Sequence, residues 1–383
     1  MTLSNRSFSL NRRQLLQATA TGVAVMGMGL RPSIAAPYER AFTWISPRGS
    51  LEVTGDFPYW VAKKMGYFGD LDIDIQPGPS DGTATVKFVD VGQADMGFPS
   101  PGVFSFGLEA GMKLKSVFHM CPRDSFSLAF RKGEGPKDIK EIEGKTILLG
   151  SAAWQPIVEP MLAAHGVDIS TVKYLEAGWP TWGTALAAGQ GDAALAWEGL
   201  RAEWTAKGLP FEYWLGVQKS PLPGNTFSVR AADIEDSDKK AFLEQYLRGW
   251  AMGLEFSEHN PRAAVDAVYE QFPTLASNMG PELGVISVLQ EANVFRGDWD
   301  KRQGWGWHDM ESWQTFFDLS ASVSKEKKDP IQAADVCTNE LIPAINDFDF
   351  AKVKADAAAA PVSDAVAAVD VDAIRASLFA QSI

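Results

Sequence analysis

The sequence predicts an α/β protein of two lobes, each a mostly parallel sheet flanked by helices, with two crossing strands joining them. Three observations carry this reading. Short apolar β runs alternate with helical stretches along the first two thirds of the chain, the pattern of β-α-β units. A phrase occurs twice: residues 88–99 read FVDVGQADMGFP and residues 185–196 read ALAAGQGDAALA. The run TFSVR at 226–230 echoes SLAFR at 127–131. In each copy of the phrase a helix ends at a glycine, Gly92 or Gly189, where a left-handed C′ residue is needed. An aspartate, Asp95 or Asp192, then sits in the turn feeding a buried strand. The two aspartates are 97 residues apart (192 − 95), too far for a solenoid repeat and suited to two similar lobes.

Taken in order, residues 40–46 form a first β run that ends at Pro47. A loop to Asp56 carries Arg48, Glu52 and Asp56. A helix follows from Phe57 to Met65, with Pro58 in its first turn and Gly66 closing it. LDIDIQ at 71–76 alternates as a strand. The Pro/Gly stretch 77–82 precedes a helix over 83–91, a strand 94–98, a helix 102–110 and a β run 114–120. Residues 125–131 leave this lobe, and a second series opens with the strand 145–149, a helix to His165, a strand 172–176, a further helix and the strand 193–197. Residues 226–230 return. This gives a first lobe of residues 37–126 and 230–330, an inserted second lobe of 127–229, and a helical extension over 331–383. Helices are expected over 237–257, from Asn260-Pro261 and from Met279-Gly280-Pro281. A loop is expected over 294–309, and a weakly packed alanine-rich helix from Ala355.

Composition narrows the function. A net charge of −13 sets nucleic acid aside as a partner. Two cysteines, Cys121 and Cys337, exclude a disulfide-rich scaffold and a multi-cysteine metal site, and leave both a single disulfide and two free thiols open. Residues 1–36 form a candidate export signal. Asn11-Arg12-Arg13-Gln14-Leu15-Leu16 resembles a twin-arginine motif. A glycine-rich apolar run from Ala18 to Leu30 is too short to span a bilayer, and small residues at 33–35 offer a cleavage site near Ala35/Ala36. The segment carries four arginines and no acid, so cleavage leaves 31 − 48 = −17. The expectation is an exported, soluble, periplasmic monomer that does not itself span the membrane.

Ligands of open α/β sheets bind beyond the carboxyl ends of the strands. Six of the 13 tryptophans lie between residues 154 and 214, and Trp154, Trp179 or Trp182, and Trp197 sit just past successive strands of the second lobe. Tryptophan faces hold planar rings and cations at ~0.5–2 kcal/mol each, and Glu198 can accept from an amino or amidine group. A planar, nitrogen-containing ligand follows, although the same rings also suit a core. On the opposite wall Ser80, Asp81 and Ser100, together with Ser151 of the second lobe, suit an anionic group or serve as ordinary helix caps. Trp44 and Ser46 end the first strand, and one of Tyr59 and Trp60 faces the cleft. No catalytic set stands out. The four histidines lack metal spacing, and no Gly-x-Ser-x-Gly elbow, phosphate loop or dinucleotide fingerprint occurs. No cofactor and no metal is expected.

Several phrases carry a resemblance over about residues 40–320. PYWVAKKMGYFGD, LDIDIQPGPSDGT, VGQADMGFPSP and GLEAGMKLKSV resemble the first lobe of substrate-binding proteins of ABC importers. The group is the one handling nitrate, taurine, alkanesulfonates and thiamine-precursor pyrimidines. FRKGEGPKDIKEIEGKTILLG and ALAAGQGDAALAWEG resemble the opening and closing of its second lobe. The resemblance implies the type II periplasmic-binding-protein fold, hinge closure on a ligand, and delivery to the transmembrane subunits of a permease. In the pyrimidine-binding branch an aromatic residue on the first strand and a Trp-Glu pair contact the heterocycle, positions held here by Trp44 and Trp197-Glu198. The loop 47–56 is longer than usual for the group and places Arg48 within reach of an anionic group, which favours a sulfonate or other organic anion instead. The cysteine-rich motif of eukaryotic pyrimidine synthases is missing. A periplasmic enzyme or a sensor's ligand-reading module is the alternative of another class.

Overall fold

The computed structural model describes residues 41–79, 82–324, 326 and 328–383. The expected export signal, Ser80 and Asp81 lie outside them. Two five-stranded mixed sheets organise the chain, both within the compact unit Ala36–Ile383. The first holds β1 (Phe42–Ser46), β2 (Ile73–Pro77), β3 (Met96–Gly97), β4 (Leu114–Phe118) and β10 (Phe227–Arg230), in the order β2-β1-β3-β10-β4. The second holds β5 (Phe126–Arg131), β6 (Thr146–Leu149), β7 (Lys173–Glu176), β8 (Ala193–Trp197) and β9 (Phe211–Leu215), in the order β7-β6-β8-β5-β9. The two sheets share one plan. Three parallel strands come first, then one antiparallel strand, then a fifth. The antiparallel member is β10 in the first and β5 in the second, so each run read as a crossing strand is built into the sheet it enters. The chain passes between the sheets through residues 119–125 and 216–226.

The duplicated phrase performs the same task twice. Thr43 and Asp95 exchange two hydrogen bonds: Thr43 N–H to Asp95 Oδ2 at 2.9 Å, and Asp95 N–H to the Thr43 carbonyl at 2.8 Å. Thr146 and Asp192 repeat the exchange, both at 2.8 Å. The aspartate thereby ties the start of its strand to the neighbouring parallel strand, β1 in the first sheet and β6 in the second. Arg230 Nη1 donates to the carbonyls of Val89 and Ala94, and Arg131 Nη1 to those of Leu186 and Gly191. These carbonyls hold equivalent positions in the two copies. The echo between the two Arg-terminated runs is therefore a pair of matching clamps that satisfy helix-end and turn carbonyls.

Why the strands sit where they do is plain from burial. All five residues of β1 are buried, as befits a strand covered on both faces. Against it packs the helix Phe57–Lys64, itself backed by Ser237–His259 and Pro261–Gln271. At Gly97 the backbones of β3 and the helix Ala84–Asp90 meet so closely that a Cβ would lie 1.9 Å from the Thr85 carbonyl oxygen. The second core gathers Trp182, Trp204 and the apolar runs of β6 and β8.

Two expectations change. The helix Pro273–Arg296 extends into the stretch read as loop, with a kink at Gly280. The carboxyl-terminal segment is well packed: helices Phe350–Ala359 and Val371–Ser377 bury Val353, Ala357 and Ile374, and the chain end joins the edge of β9. Tyr213 N–H donates to the Gln381 carbonyl at 2.9 Å, and Ile383 N–H to that of Tyr213 at 3.0 Å. The few apolar residues of this segment carry its packing, and an overall alanine content hides them. Cys121 and Cys337 are both buried free thiols. Among the described residues no helix is long and apolar enough to cross a membrane.

Candidate ligand cleft

Carboxyl ends of strands from both sheets converge on one cleft, about 730 Å³ of empty space when the open solvent at its mouth is included. From the first sheet come Pro47 and Arg48 after β1, and Phe98 and Ser100 after β3. From the second come Trp154 after β6, Trp179 after β7 and Trp197 at the end of β8. The crossings add Cys121, Ser125 and Asn225, and the helix Pro273–Arg296 adds Glu291 and Phe295. At the rim the two lobes touch backbone to backbone, because a Cβ at Gly102 would lie 2.7 Å from the Pro156 carbonyl.

The tryptophans form a wall. Trp179 and Trp197 are nearly parallel, with centroids 5.9 Å apart and an interplanar angle of 7°. Trp154 stands on edge to both, at 80° and 87°. Trp182 lies behind them, 1% exposed, its Nε1–H donating to the Leu195 carbonyl at 2.8 Å. It therefore fixes the wall and does not line the cleft.

Of the other expected site residues, Ser100 lines the cleft and caps the helix Pro101–Glu109, accepting from Val103 N–H. Ser151 caps the short turn at Ala152–Trp154 and stands outside the lining. Trp44 and Tyr59 stack on each other in the first lobe's core, 0% and 2% exposed, with Trp250 and Phe227 around them. Trp60 is buried beside them, so neither residue of that pair lines the cleft. Ser46 is buried beneath the turn, its hydroxyl accepting from Arg48 N–H.

Glu198 is the main correction. It is fully buried, and both of its oxygens accept from Arg201, at 3.0 and 2.7 Å. Strand alternation turns the residue after Trp197 away from the cleft. Among the described residues the acid lining the cleft is Glu291, which sequence reasoning missed. Its signal was a Gln-Glu pair inside the apolar helix VISVLQEANVF, polar residues where a core stripe was expected. Arg48 donates to Asp56 at 2.7 Å, and the Asp56 side chain is 3% exposed. Burial works against the Arg48 charge, but Asp56, Glu291 and Glu203 outweigh it and raise its pKa. Among the described residues no cluster of His, Cys, Asp or Glu is placed to hold a metal ion.

Two buried carboxyls give the ligand-free protein a pH signature. Glu291 is pushed up to about 8, chiefly by burial, with Arg48 opposing and Glu198, Asp56 and Glu203 adding to the rise. Burial pushes Asp124, at the first crossing, up to about 7, although it accepts from Phe126 N–H and the Ser220 hydroxyl. The folded state keeps protons that the unfolded chain gives up near pH 4, so stability falls as pH rises through these values. Below about 6.5 the buried His119 and His308, both lowered by burial, act in the opposite sense. The melting temperature of the ligand-free protein is therefore expected to fall between pH 6.5 and 8.5, by less in Asp124→Asn and Glu291→Gln. An unchanged slope in both variants contradicts this account.

Comparison with known proteins agrees with the architecture. Residues 54–264 match the model of the family described as "NMT1/THI5 like". A search of curated proteins finds no match. Among solved structures, the alkanesulfonate-binding protein SsuA of Xanthomonas axonopodis pv. citri, bound to MOPS, is similar at 14% identity. That alignment has a TM-score of 0.60 and covers 78% of this chain and 97% of that one. A zinc-bound ligand-binding component of an ABC-type import system from Staphylococcus aureus is similar at 12% identity and a TM-score of 0.56, covering 79% and 97%. A Candida albicans gene product described as having the generic periplasmic binding protein fold is similar at 12% identity and a TM-score of 0.54, covering 78% and 96%. At these identities the likeness shows the fold, which is that of the periplasmic binding proteins.

Proposed function

Since the chain belongs to the NMT1/THI5-like family, we propose that it is the solute-binding component of an ABC importer. In this reading it captures a small, planar, nitrogen-containing molecule between the lobes and hands it to the permease. The observation that carries it is the wall of Trp154, Trp179 and Trp197 facing one cavity that also holds a buried acid. Planar rings stack on such faces, and the ring quadrupoles attract positive charge. Closure by bending at residues 119–125 and 216–226 encloses the ligand. The lobe boundaries read from the sequence belong to the same proposal, as do twin-arginine export, cleavage near Ala35/Ala36 and a periplasmic location. No catalytic role is part of it.

One observation favours a second reading. Arg48 lines the cleft, and a protein of the same fold binds alkanesulfonates. Against a bare anion, the guanidinium is already engaged by Asp56.

A thermal-shift panel of amines, amidines, heterocycles, sulfonates and carboxylates tests both. A ligand at about 100 times its Kd adds roughly 2.7 kcal/mol of stability. The shift is expected to be lost in Gly102→Val, whose side chain wedges the rim open against Pro156. Shifts by sulfonates alone select the second reading, and a panel without any shift removes the binder reading.

A further inference from the structure

Glu291 lines the cleft, 5% exposed, on a helix from outside the family-matched segment. Among the described residues its carboxyl has no hydrogen bond and no ion pair. It packs against two glycines: a Cβ added at Gly199 would come within 2.5 Å of Glu291 Oε1, and one at Gly55 within 2.7 Å of the same atom and 2.8 Å of Arg48 Nη2. Gly199 has a φ of +83°, so both the space and the backbone there exclude a side chain. The nearby charges are Arg48 and Asp56 from the loop after β1, Glu198 at the end of β8, and Glu203 on the helix Leu200–Ala206. Arg48 is balanced by Asp56, and Glu198 is balanced by Arg201. Glu291 therefore shares its nearest cation, Arg48, with Asp56, and it lines the same cavity as the three tryptophans.

We propose that Glu291 is the specificity-determining residue of this cleft, receiving the N–H donors of a planar cation, an amidinium or a protonated amino-heterocycle, whose ring lies on the tryptophan wall. This rests on reading the cleft as the ligand site. Such a cation supplies the direct ion pair the carboxylate lacks, and the indole faces add attraction for the same charge. Glu291 holds its proton to about pH 8 in the empty site, so uptake of a cation releases that proton. The affinity then rises with pH, by up to about tenfold per unit below pH 8, and levels off above it. A ligand that only accepts a hydrogen bond shows the reverse sign.

Calorimetry with two probes of one shape tests this. Benzamidine is planar and cationic across pH 6–9, and benzenesulfonate is its anionic counterpart. Benzamidine is expected to bind the full chain with that pH slope. In Glu291→Gln it loses at least tenfold in affinity and the slope disappears, whereas Glu291→Asp keeps the slope. Trp197→Ala weakens benzamidine and leaves the slope intact. Failure of benzamidine to bind, preference for benzenesulfonate, or an unchanged slope in Glu291→Gln overturns the assignment of Glu291. If benzamidine binds and neither Glu291→Gln nor Trp197→Ala alters it, the cleft reading fails with it.

Discussion

The Arg201→Met variant is expected to lose about 3–5 kcal/mol of stability, as measured by urea unfolding at pH 7. Removing the guanidinium leaves Glu198 without its two hydrogen bonds in a fully buried position. Arg201, 1% exposed, also donates to the Leu378 carbonyl and to Gln381 Oε1. It thus ties the end of β8 to the carboxyl-terminal segment, and the loss reaches both. Pairing Arg201→Met with Glu198→Leu removes the stranded charge and is expected to recover part of the loss, since buried ion pairs are replaceable by apolar residues of similar volume. The recovery is incomplete because the contacts to Leu378 and Gln381 stay broken. The same experiment decides the role of Glu198. Glu198→Gln is expected to lower stability and leave ligand affinity within about twofold; a large affinity loss at unchanged stability returns Glu198 to the ligand site.

Trp197→Ala is expected to weaken ligand binding by roughly 10–100-fold, or ~1.4–2.8 kcal/mol. Trp197 is partly exposed to the cavity, parallel to Trp179 and on edge to Trp154, so its removal takes away stacking surface and loosens both neighbours. Trp44→Phe is the control. Trp44 is the same residue more deeply buried, and it lies inside the first lobe's core, so its change is expected to move the melting temperature and spare affinity. The reverse pattern contradicts the placement of the site. The measurement is titration calorimetry on both variants with the compound that shifts the wild type most.

The sequence showed the two-lobe plan because its evidence is local. Helix-end glycines and the aspartates after them are fixed by backbone geometry. The duplicated phrase therefore survives in both copies with the same hydrogen bonds, at Thr43–Asp95 and Thr146–Asp192. Trp154, Trp179 and Trp197 were legible for a related reason, since each follows a predicted strand at the end where ligands bind. Which face each residue took was harder. Trp197 ends β8 and Glu198 follows it, and the alternation carried on from the strand sends only one of them to the cleft. Trp44 and Tyr59 carry the right chemistry, but they meet Trp250 and Phe227, residues about two hundred positions away that no local pattern places. Glu291 was hidden for the same reason. It arrives on a helix from the last third of the chain, and only the packed structure sets it against Gly55 and Gly199.

Intact mass under non-denaturing conditions, on protein purified without residues 1–36, tests the central claim most directly. The account predicts one small molecule per chain, identified after release as a planar nitrogen-containing compound. The wild type retains it, and a Trp179→Ala, Trp197→Ala double variant of the same fold and stability does not. A sulfonate or carboxylate at that stoichiometry, or a compound retained equally by the double variant, contradicts it.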